Sequence, residues 1–99
     1  MENTFYNKIE ELFKKKQFET IKFEIDLLEE KDKRNPFIYN ILGIIEATNK
    51  NKDGAKKYFN LALELDNYYL QSLINLSNLS YIDKDFQSII ALLKKYHSK

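Results

Sequence analysis

A chain of 99 residues, 43% hydrophobic and 31% charged, has the composition of one globular domain with a modest core and not of a disordered segment. The 16 Lys and Arg nearly cancel the 15 Asp and Glu, and a net charge of +1 gives no reason to expect nucleic acid or an anionic membrane as partner. With no cysteine, disulfides, thiolate metal sites and thiol nucleophiles are excluded.

In chain order, apolar residues recur at three- and four-residue spacing, which is the signature of helices and not of strands. Phe5, Ile9, Leu12 and Phe13 form a first stripe, predicting a helix over 3–15. Its leading segment, MENTFYNKIEELFKKK, lacks the basic, apolar and small-residue order of a signal peptide. Phe18, Ile21, Ile25 and Leu28 predict a second helix over 18–31. Asn35-Pro36 then reads as a helix start, asparagine capping and proline at the first helical position, for a third helix over 36–49. That helix carries Phe37, Ile38, Tyr39, Ile41, Leu42, Ile44 and Ile45, leaving almost no polar face, so burial on several sides is expected. Asp53 is expected to cap a fourth helix over 53–65, with Gly54 in the turn or the first helical turn. Leu73, Leu76, Leu79 and Ile82 predict a fifth over 68–82. Phe86, Ile89, Ile90, Leu93 and Tyr96 predict a sixth over 85–97, capped by Asp85. The expected class is all-α with six helices. No apolar run approaches the ~18–20 residues of a membrane span, so the expected compartment is the cytoplasm.

Sliding the chain by 34 residues brings Ile21, Ala55 and Ile89 together, and likewise Ile25, Phe59 and Leu93. Phe5, Tyr39 and Leu73 also align, as do Leu28, Ala62 and Tyr96. A period shared by both helices and the turn between them indicates helix-hairpin repeats. The middle unit resembles a tetratricopeptide repeat through Tyr39, Leu42-Gly43, Ala55, Phe59 and Ala62-Leu63. The third unit matches through Leu73, Leu76, Ser77, Phe86 and Ile89. The first departs from the pattern, with Lys8 in place of leucine and Ile9 in place of a small residue; Asn67 stands where the family has proline. The resemblance implies a right-handed α-solenoid of three antiparallel hairpins over residues 1–99, in units near 2–35, 36–69 and 70–99. It also implies that Gly43 lets the two helices of its hairpin approach closely, with Ala55 and Ala62 as small partners.

The residues themselves suggest no enzyme, cofactor or metal site. His97 sits alone in the basic tail KKYHSK. The carboxylates at Glu10-Glu11, Glu29-Glu30, Asp83 and Asp85 lack His or Cys partners and read as solvated faces and caps. Lys14-Lys15-Lys16 suits a helix C-terminus, where cations favour the dipole. By resemblance, such arrays bind a peptide or helix of a partner protein in a concave groove lined by each unit's first helix. The groove positions fall on Asn3, Tyr6, Glu10 and Phe13, on Phe37, Asn40, Ile44 and Ala47, and on Gln71, Ile74, Asn78 and Tyr81. Asn40 and Asn78 are expected to hydrogen-bond a peptide backbone. The lysine-based carboxylate clamp of some family members is not expected, because its first lysine falls at Tyr6 and its asparagine at Glu10. The wide apolar face of the last helix, with Ile90, Leu93 and Tyr96, is expected to meet a second copy or a partner. The expected role is a protein-interaction module. The chief alternative is an accessory segment of a glycosyltransferase- or sulfotransferase-type enzyme, and RNA binding is a third reading that lacks a basic groove.

Overall fold

The computed structural model describes residues 3–82 and 86–97, and among them the chain is helical with no strand. The elements are α1 (Asn3–Lys14), α2 (Phe18–Asp26), α3 (Glu30–Lys33), α4 (Pro36–Thr48), α5 (Lys52–Leu65), α6 (Leu70–Ile82) and α7 (Phe86–His97). The chain divides into two compact units, Met1–Arg34 and Asn35–Lys99.

In the first unit, α1 packs against α2. Ile9, Ile21 and Ile25 are buried, the Phe13 and Phe18 rings meet edge-on at 5.7 Å, and Lys8 pairs with Glu24 at 3.0 Å. The expected helix over 18–31 is two pieces. Beyond Leu28 the run Glu29-Glu30-Lys31-Asp32-Lys33-Arg34 has no apolar side chain to bury, and short helices depend on such packing. The chain tightens, with the Leu28 N–H donating to the Ile25 carbonyl at 3.0 Å, and Glu29 becomes extended before the single turn of α3.

In the second unit, α5 packs on both α4 and α6, and α6 packs on α7. Asn35 caps α4 as expected: its Oδ1 accepts the Phe37 N–H at 2.8 Å, ahead of Pro36 at the first helical position. No residue from 36 to 47 is exposed, which suits the nearly all-apolar surface of that helix. The cap of α5 is Asn51 and not Asp53. Its Oδ1 accepts the Gly54 N–H at 3.0 Å, while its Nδ2 donates to Glu46 Oε2 at the end of α4. Asp53 falls inside the first turn, where its charge still favours the helix dipole. A Cβ on Gly54 would lie 2.6 Å from Asn51 Nδ2 and 2.9 Å from Glu46 Oε2, so glycine there makes room for this clasp. The expected cap Asp85 lies outside the described residues. Between α5 and α6, Asp66 Oδ1 accepts the Tyr68 N–H at 3.0 Å, an Asx turn closing a segment that the sequence marks as a break.

The core of this unit is Ala55, Phe59 and Leu63 of α5 against Leu73, Leu76 and Leu79 of α6, with Ile44, Ala47, Tyr69 and Leu92 packed around it. Phe59 is 1% exposed and its ring lies against Gly43. A Cβ on Gly43 would sit 2.6 Å from Phe59 Cδ1 and closer still to Cε1. Gly43 thus makes space for an aromatic ring rather than for a neighbouring backbone.

Landmarks recur 34 residues apart. Lys14 and Thr48 end α1 and α4, Phe18 and Lys52 begin α2 and α5, and Pro36 and Leu70 begin α4 and α6. The hairpin turns repeat in atomic detail. Lys16 and Lys50 both adopt left-handed backbone, at φ 57 and 65. Lys16 N–H donates to the Phe13 carbonyl and Gln17 N–H to that of Leu12; Lys50 N–H donates to Ala47 and Asn51 N–H to Glu46. Each pair is a Schellman motif satisfying the last carbonyls of its helix.

A candidate binding cleft between α4 and α6

Along α4, residues three and four apart share a face. Ile44, Ala47 and Thr48 therefore present one wall, and Asn75, Asn78 and Leu79 of α6 present the other. Phe59, held by Gly43 from beneath, completes the lining of a cleft of about 280 Å³. That is at the lower end of small-ligand cavities. No lining residue is ionisable. Thr48 Oγ1 donates to the Ile44 carbonyl at 2.9 Å and is turned back on its own helix.

Beside the cleft lies a polar node. Asn40 is 5% exposed, and its Oδ1 accepts from Ser72 Oγ at 2.8 Å and from Asn75 Nδ2 at 3.0 Å. Ser72 is fully buried. Among the described residues no buried side-chain polar atom lacks a partner, so the node is satisfied and ties α4 to α6.

The expected groove positions separate into three groups. Ile44, Ala47 and Asn78 meet at the cleft. Asn40 is 5% exposed, and its oxygen is occupied by two donors from α6. Gln71 is exposed and Ile74 is 49% exposed, and neither lines the cleft; Phe37 is half-buried at the start of α4. In α1, Tyr6 is half-buried with its ring 6.4 Å from that of Phe5, Glu10 is exposed, and Phe13 is spent on Phe18 within its own hairpin. The side chains of Asn3 and Tyr81 lie outside those described. On α7, Ile90 is 45% exposed, whereas the side chains of Leu93 and Tyr96 lie outside those described. Phe59, Asn75, Thr48 and Leu79 are cleft residues that are not among the expected groove positions. Asn75 and Asn78 carried a legible signal, two amides three residues apart and so on one face of α6.

Among the described residues, no group of three or more His, Cys, Asp or Glu is placed to hold a metal ion. None of the described helices is long and apolar enough to cross a membrane. No protein-family model, curated protein or solved structure matches the chain.

Proposed function

We propose that the chain is a tetratricopeptide-like array of three helix hairpins, acting as a protein-interaction module that captures a peptide segment of a partner protein between α4 and α6. The observation that carries this reading is the neutral cleft itself. Its lining combines apolar Ile44, Ala47, Phe59 and Leu79 with the amide side chains of Asn75 and Asn78, a set suited to one uncharged side chain and the backbone beside it. The 34-residue recurrence of helix ends and Schellman turns supports the repeat architecture, because such arrays place equivalent helices side by side. Specificity comes from shape and hydrogen bonding, with little electrostatic steering.

The test is selection from a displayed random-peptide library on the full chain, followed by anisotropy with the selected peptides. Ala47→Glu places a carboxylate in the cleft wall at a half-buried position, with folding checked by circular dichroism. Loss of binding by at least tenfold in the folded variant is expected. Failure to enrich any peptide, or equal binding by Ala47→Glu, overturns the reading.

A further inference from the structure

Asn75 lines the cleft, yet one end of its amide is committed elsewhere. Its Nδ2 donates to Asn40 Oδ1 at 3.0 Å, and that oxygen also takes the Ser72 hydroxyl at 2.8 Å. A carbonyl oxygen has two lone pairs, so Asn40 Oδ1 is saturated. With the oxygen of Asn40 turned toward α6, the amide of Asn75 is set, because flipping it alone would put its own oxygen against Asn40 Oδ1, acceptor against acceptor. Its Oδ1 accepts nothing from any described residue and is not a buried unsatisfied atom. Half-buried Asn75 thus offers an open hydrogen-bond acceptor in the wall of a neutral, mostly apolar cleft. Asn78, one turn further along the same face, is exposed, and its side chain makes no hydrogen bond to a described residue.

We propose that Asn75 Oδ1 accepts one backbone N–H of an extended, uncharged peptide whose apolar side chain fills the cleft, and that buried Asn40 is the positioning residue that aims it. This rests on the peptide-capture reading and narrows it. A bound helix has its N–H groups engaged internally beyond the first turn, so amide acceptors in the wall find few free N–H groups on one. An extended segment keeps its N–H groups free. The neutral lining excludes a charged anchor, which would be desolvated without a counter-charge.

The experiment takes one library-selected peptide and scans N-methylation along it, measuring affinity for the wild type, Asn75→Ala and Asn40→Ala. In the wild type, methylation at one amide beside the apolar anchor is expected to weaken binding at least tenfold. Asn75→Ala is expected to weaken the unmethylated peptide by a similar factor and then to lose less than twofold more on methylation. The Asn40→Ala variant is expected to show the same loss of sensitivity, a coupling that general loosening of the fold does not produce. Should Asn40→Ala not fold, Asn75→Ala alone keeps the test decisive, since Ser72 still satisfies Asn40 in that variant. If no N-methyl position matters, or if the sensitive position stays sensitive in Asn75→Ala, this inference fails while peptide capture stands. If the library yields no peptide, both fall.

Discussion

The α1–α2 and α4–α5 hairpins solve the same packing problem with different side chains. Both close with a Schellman turn around a left-handed lysine, 34 residues apart. At equivalent places in that register, α4–α5 holds Gly43 facing Phe59, and α1–α2 holds Ile9 and Ile25, both buried. One hairpin puts nothing on the first helix and a full aromatic ring on the second; the other puts a branched aliphatic on each. Where the second hairpin has glycine the first has a larger side chain, and where the second has phenylalanine the first has a smaller one. The register sets which positions face the inside of each hairpin, and different side chains fill them.

Mutations can break that comparison. The largest effect is expected from Phe59→Ala, which empties the centre of the α5–α6 core and should cost about 3–5 kcal/mol in urea unfolding followed by circular dichroism. Ile25→Ala, removing fewer atoms from a shared load, should cost less. Next comes Gly43→Ala. Alanine ordinarily gains roughly 1 kcal/mol over glycine within a helix. Here the new methyl meets a buried ring, so a net loss of about 1–3 kcal/mol is expected. Adding Phe59→Ile, which imports the first hairpin's solution, should recover part of it; a stabilised Gly43→Ala would show that the ring has room to move and undo the volume argument.

Helix starts supply a smaller contrast. Asn51 caps α5 through its side chain, whereas Gln17 at the start of α2 makes no side-chain cap. Asn51→Ala should therefore cost about 1 kcal/mol and Gln17→Ala nearly nothing, read as shifts in the urea midpoint. Smallest are the two turn lysines. Glycine carries no Cβ penalty in left-handed backbone, so Lys16→Gly and Lys50→Gly should each stabilise by less than ~1 kcal/mol and by similar amounts. Opposite signs would mean that the two turns are not equivalent.

Much of the fold was legible before any coordinates. The helix periodicity, the Asn35-Pro36 start and the special status of Gly43 were all readable, because each depends on residues within one or two turns. The break after Asp26 was less so, since the apolar spacing runs on through Leu28 and only the absence of anything to bury beyond it ends the helix. The site was legible in outline. Ile44, Ala47 and Asn78 of the expected groove positions meet at the cleft, whereas Asn40 lies buried against Ser72 and Asn75.

Asn40 and Ile74 mark where sequence reasoning stops. They share one place in the 34-residue register, yet the asparagine is 5% exposed and the isoleucine 49% exposed, the reverse of their polarity. Asparagine is inside because Ser72 and Asn75 of α6 satisfy it there; Ile74 is outside although it is apolar. The sequence by itself determined that the chain is helical and marked most of its breaks, since these follow from local hydrogen bonding and the periodicity of side chains along a helix. Only the tertiary structure decided which face of each helix is covered, because burial of a side chain depends on the partner across from it and not on its neighbours in the chain.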